Sequence, residues 1–131
     1  FKLALLDGTM DFSADTSQTY KIALYTSSAT LNADTTAYTT TNEVSGAGYT
    51  AGGVAITPTT ATSETTAYVD FSNATWTNST ITARGALIYS AGGTNPAVAV
   101  LDFGSNKSSN SSTFTVTFPT AAASTAIIRI G

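Results

Sequence analysis

The sequence predicts an all-β domain, an antiparallel β-sandwich or jelly roll of about eight short strands with a short N-terminal helix. Three observations carry that prediction. Segments of alternating apolar and polar residues recur, separated by turn residues about every ten positions. Threonine fills the outward positions of such segments, as in TFTVTFP, where a β-branched hydroxyl fits the pleat and stays wettable. Hydrophobic residues make up 42% of the chain and cysteine is missing, so burial and backbone hydrogen bonding must hold the fold without disulfides. At 131 residues the expectation is one domain, 1–131.

Residues 1–12 (FKLALLDGTMDF) read as a short helical segment, with Phe1, Ala4 and Leu5 on one face and Gly8 as C-cap. In Thr19–Tyr25, Tyr20, Ile22 and Leu24 alternate with Lys21, Ala23 and Tyr25, which predicts a half-buried strand. Residues 27–53 form a long loop rich in Asn, Asp and Gly, and a loop of that length carries function or small elements of its own. Strands follow at Val54–Pro58 and Thr65–Phe71, the latter with Ala67, Val69 and Phe71 on one face and Tyr68 and Asp70 on the other. Ala74–Thr77 carries the sole Trp, Trp76. Thr80–Ser90 is strand-like, and Gly85 marks a bulge or close packing. The turn Gly92–Pro96 leads into Ala97–Gly104, and a Ser/Asn-rich turn at 105–112 leads into Thr113–Pro119, with Phe114, Val116 and Phe118 inward. Thr125–Ile130 closes the series.

Composition also sorts the function classes. With no His there is no ordinary general base near neutral pH, and with no Cys there is no thiolate nucleophile or thiolate metal site. The expectation is a non-enzyme with no catalytic residue, no cofactor and no metal. A net charge of −3 with only five Lys and Arg leaves no basic footprint, so no nucleic-acid partner is expected. No apolar run reaches the length of a membrane span, so no membrane partner is expected either.

Several patterns resemble sites. The Gly cluster Ser45–Gly53 (SGAGYTAGG) lacks the Lys and the following helix of a phosphate-binding loop, and reads as a tight turn. Asp7, Asp11 and Asp15 recur every four residues, but Gly8 interrupts the helix that would align them, and they read as turn carboxylates. Glu43, Glu64, Asp70 and Asp102 are glycosidase carboxylates by type only. Arg84 is a lone strand charge whose natural partner is Asp70 or Asp102, and Arg129 is the lone charge of the last strand. Trp76 reads as core rather than as a sugar-stacking platform. The N-x-[ST] sequons at Asn73, Asn78, Asn106 and Asn110 are what a Ser/Thr-rich chain produces by chance. Scarce charge and hydroxyl-rich faces suit a surface that other protein covers. Its expected interface residues are Tyr38, Val44 and Tyr49 in the long loop, with Phe1 and Leu5 at the N-terminus.

The segments Tyr20–Gly53, TARGALIYS (Thr82–Ser90), AVAVLDFGSNKS (Ala97–Ser108), FTVTFP (Phe114–Pro119) and AIIRI (Ala126–Ile130) carry a resemblance. Together the chain resembles small virion structural proteins of tailed bacteriophages, and NEVSGAGYTAGG and ARGALIY are the most specific parts. The resemblance covers nearly the whole chain. It implies a particle component located in the virion and transfers no catalytic residue. By size and sandwich class, the component expected by analogy is a capsid decoration (cement) protein. Such a protein binds the major capsid protein and sister copies as a homo-oligomer, often a trimer. The alternatives are a tail, neck or fibre structural component, and a carbohydrate-binding adhesion module.

Overall fold

A computed structural model describes residues 1–131. Its elements are α1 (Lys2–Leu6), β1 (Thr19–Tyr25), β2 (Val54–Ile56), β3 (Pro58–Ser63), β4 (Thr66–Phe71), β5 (Ala74–Ala91), β6 (Ala97–Val116) and β7 (Ile128–Ile130). They form a four-stranded sheet in the order β2-β1-β5-β6 and a three-stranded sheet in the order β3-β4-β7. Every pairing is antiparallel. The two sheets pack as the expected all-β sandwich. Tyr20, Ile22, Leu24, Ala86, Ile88, Phe114 and Val116 of the larger sheet share one core with Val69 and Phe71 of the smaller, joined by Met10 and Phe12. The short helix also forms, and Gly8, with φ +76, turns the chain away just beyond its cap residue Asp7.

The strands differ from expectation in length. The segments at 74–77 and 80–90 fuse into β5, those at 97–104 and 113–119 largely fuse into β6, and β3 forms at Pro58–Ser63 where no separate strand is expected, so seven strands replace about eight. The predicted turn at 105–112 lies inside β6. Its turn residues are absorbed as irregularities of the ladder. The register shifts between Trp76 and Ser79, Ser79 and Ile81, and Ala83 and Gly85. Asn78, Gly104 and Ser111 take left-handed backbone angles there. The serines that read as turn formers pair across the strands instead. Ser79 Oγ bonds Ser109 Oγ at 2.7 Å and donates to the Ser112 carbonyl at 3.0 Å, and Thr82 and Ser108 hydroxyls meet at 2.8 Å. Ser79 is fully buried, so Ser79→Ala leaves Ser109 Oγ short of a partner. The expected cost is about 1–2 kcal/mol, read as a lower urea midpoint at unchanged slope. Gly85 meets both expectations at once, since a bulge falls there and a Cβ would lie 2.6 Å from the Leu101 carbonyl.

Two further expectations are corrected. Ala23 and Tyr25 do not face solvent. They are buried on the opposite face of the sheet with Leu87, Tyr89 and Ala97, under Ala29, Leu31 and Tyr38 of the long loop. The central sheet is covered on both sides, which a one-sided alternation does not predict. Asp70 is likewise buried, at 2% exposure, with Oδ1 accepting its own neighbour's N–H from Phe71 at 2.9 Å. Arg84 pairs with Asp102.

Candidate functional site

The long loop is the least regular part of the chain, yet it is tightly fixed. Residues 43–44 run beside the end of β1, with a bridge between Tyr25 and Glu43 and a bond from Val44 N–H to the Leu24 carbonyl at 2.9 Å. At its centre sits the carboxylate of Glu43. Oε2 accepts the Tyr38 hydroxyl at 2.7 Å, and Oε1 accepts the Tyr49 hydroxyl and the Gly52 N–H, each at 2.7 Å. Tyr49 Oη in turn accepts Leu24 N–H at 2.9 Å. Tyr89 donates to the Gly52 carbonyl at 2.8 Å and Tyr25 to the Thr39 carbonyl at 2.6 Å. Tyr38 stacks on Tyr89 with ring centroids 4.6 Å apart.

The electrostatics of this cluster favour holding over reacting. Burial, opposed only in part by the bond to Thr39, pushes the Tyr25 phenol up to about 12. Burial first, and then the Glu43 carboxylate, push Tyr38, Tyr49 and Tyr89 upward as well. All four stay neutral donors at ordinary pH. Phenols whose folded pKa lies above the unfolded value near 10 bind protons more tightly in the fold. Their stabilisation is full below pH about 10 and is lost as pH rises through the raised values. Alkaline titration is therefore expected to show phenolate absorbance appearing together with loss of structure above pH about 10. Simple titration near 10 with the fold intact would contradict this.

The glycines of SGAGYTAGG serve close approach. A Cβ on Gly48 would lie 2.8 Å from Ser79 Cα and 2.9 Å from the Asn78 carbonyl, and one on Gly53 would strike the Ile22 carbonyl. The acidic candidates are dispersed. Asp7 accepts Thr9 N–H at 3.0 Å and the Thr9 hydroxyl at 2.7 Å, and Asp11 accepts Ser13 N–H at 2.8 Å. These bonds hold both carboxyls below the usual range. No three acidic side chains gather anywhere in the chain. Glu43 lies in the loop, Glu64 in the β3–β4 turn, Asp70 on β4 and Asp102 on β6. Arg129 donates to the Ser124 carbonyl at 2.7 Å. Trp76 is 3% exposed, between Tyr49 and Phe114.

Of the expected interface residues, the structure turns the three in the loop inward. Val44 is buried in the main core, Tyr49 packs on Trp76, and Tyr38 closes the outer cluster. Leu5 is half-buried, and Phe1 is exposed.

An open groove and exposed apolar residues lie elsewhere. β6 is an edge strand of the larger sheet. Leu101, Phe103, Phe114 and Val116, with Phe118 and Ile127, line a groove there of about 560 Å³. Leu3, Leu6 and Ile130 stand exposed on α1 and β7. No protein-family model, curated protein or solved structure matches this chain. The exposed leucines had a signal in the sequence, since KLALL is apolar on more than one helical face. Glu43 had none, because a lone Glu in NEV does not announce that the loop folds back to bring three donors onto it.

Proposed function

We propose that this chain is a non-enzymatic structural protein of a tailed-phage virion, a capsid decoration protein that binds the major capsid protein and stabilises the outer shell. The observation that carries the reading is the division between interior and surface. The groups with chemical potential, Glu43 and its tyrosines, are engaged with one another and with backbone. The outside offers Thr and Ser faces, little charge, an apolar helix ridge and an open groove, which suits coverage by protein. The resemblance of NEVSGAGYTAGG and ARGALIY to virion proteins supports the same reading. A shell protein gains from many weak contacts repeated over one particle. The burial of Trp76 counts against the carbohydrate-binding alternative, which expects that ring exposed.

Quantitative mass spectrometry of purified particles of the encoding phage tests the proposal. Copies on the scale of the capsid subunits are expected, and particles stripped of the protein should release DNA at lower temperature. Copies on the scale of a single ring would move the protein to the tail or neck. Absence from the particle would overturn the reading.

A further inference from the structure

Asp7 is the one Asp in the chain that is followed by Gly. The pair closes α1 at the surface, where both residues are exposed. Asp7 Oδ1 accepts the Thr9 N–H at 3.0 Å and the Thr9 hydroxyl at 2.7 Å. A carboxyl bonded to the N–H two residues on is folded back over the peptide between them, here the Asp7–Gly8 peptide. The Gly8 N–H donates no hydrogen bond within the chain. Nothing lies within 4 Å of a Cβ at Gly8. An electrophilic carboxyl carbon therefore sits next to an unengaged and unshielded peptide nitrogen, in contact with water.

Two other aspartates share the fold-back but not the rest. Asp11 accepts the Ser13 N–H and Asp102 the Gly104 N–H, each at 2.8 Å. The residue after Asp11 is Phe12, buried in the core, and the residue after Asp102 is Phe103, half-buried within β6. Both following nitrogens carry a bulky side chain on fixed backbone. The backbone at Asp7 is held less firmly. α1 has five residues, no side-chain cap and no buried residue, and so short a helix is marginal by itself. Asp7, with φ −92 and ψ 1, still follows the helix end, so the last turn opens before the Gly8 nitrogen reaches the carboxyl carbon.

We propose that Asp7–Gly8 is a modification site, where the aspartate isomerises to iso-aspartate with water as the sole co-reactant. The Gly8 nitrogen attacks Cγ of the protonated carboxyl and gives up its proton. An N–C bond forms, a C–O bond breaks, and the carboxyl OH leaves with that proton as water. The product is a cyclic imide of Asp7, and water then adds to one of its two carbonyls. Opening at the side-chain carbonyl restores aspartate. Opening at the main-chain carbonyl routes the backbone through Cβ and Cγ. That product has one more methylene in the main chain between α1 and Thr9, and its carboxylate is no longer placed to accept the Thr9 donors. α1, with its exposed Leu3 and Leu6, then joins the sandwich through a longer and looser link, while Met10 and Phe12 stay in the core. The site thereby records the age of the molecule at one surface helix.

A timed incubation of the folded whole chain in mildly acidic buffer, followed by tryptic digestion, is the test. Cleavage after Lys2 and Lys21 leaves Asp7, Asp11 and Asp15 in one peptide, and electron-transfer fragmentation tells which of them has isomerised. Methyl transfer from S-adenosylmethionine by an isoaspartyl methyltransferase counts the product in the intact protein. Product is expected to grow with time at Asp7, with Asp11, Asp15 and Asp102 at background. Asp7→Glu should lose the methyl-acceptor signal completely, because a ring with an extra methylene closes far more slowly. Its circular dichroism should be unchanged, since the side chain is exposed. Asp7→Asn should gain signal, with ammonia leaving in place of water. No product at Asp7 in the folded wild type would overturn the proposal, as would equal product at Asp11 or a signal that survives Asp7→Glu. Product formed only by the chain unfolded in urea would overturn it too, because the folded helix end would then protect the peptide.

Discussion

Replacing Glu43 with alanine is expected to destabilise the fold by at least about 3 kcal/mol and to release the long loop. Three donors converge on this carboxylate, and all three lose their acceptor at once. Hydrogen bonds to a charged group contribute about 1.5–3 kcal/mol each, and a buried donor left unpaired costs about 1–3 kcal/mol. Glu43 is only half-buried, so water reaches part of the gap and the sum falls short of three full bonds. Urea unfolding gives the loss directly, and limited proteolysis should cut within 27–42 of the variant and spare the wild type. Glu43→Gln keeps the shape and an acceptor without the charge, and should lie between the two. A Glu43→Ala variant within about 0.5 kcal/mol of the wild type would mean that packing alone fixes the loop.

Gly53→Ala is expected to prevent folding, a loss above about 4 kcal/mol. Gly53 has φ +71, and its missing side chain leaves room for the Ile22 carbonyl. That carbonyl cannot retreat, because Ile22 is held between Val54 of β2 and Ile88 of β5. Gly93 supplies the comparison. Its φ of +57 is also left-handed, but nothing lies within 4 Å of a Cβ there. Gly93→Ala should cost only the backbone strain, about 1–2 kcal/mol. Expression with solubility, followed by thermal melting, separates the two. Equal effects at both positions would show that strain rather than close approach governs Gly53.

These two residues also mark how far the sequence could be read. The sandwich, the short helix and the core faces of Tyr20, Ile22, Leu24 and Phe114 were legible, because each depends on local periodicity, although the helix caps at Asp7, one residue before the expected Gly8. The fused β5 and β6 were not, because Ser and Asn signal turns by composition, whereas here they pair across a bulged ladder. The buried Ala23 and Tyr25 were missed for a related reason. Their cover comes from a loop with no periodicity of its own. The roles assigned to the loop tyrosines rested on their availability, and Glu43 claims Tyr38 and Tyr49 through contacts that only the folded chain assembles.

The long β5–β6 hairpin bears on the order in which the molecule comes together. Only residues 92–96 separate its strands, so closing it demands little loop entropy, and it can form while the rest of the chain is still unstructured. β1 reaches the same hairpin from far back in the sequence, but every partner it needs is already made once Ala91 has been synthesised. The smaller sheet has no such advantage. β4 must wait for Ile128–Ile130, which are synthesised only after every strand of the larger sheet. The sandwich therefore has an early half and a late half, and until β7 arrives the inner faces of Val69 and Phe71 depend on a two-stranded sheet with one side unclosed.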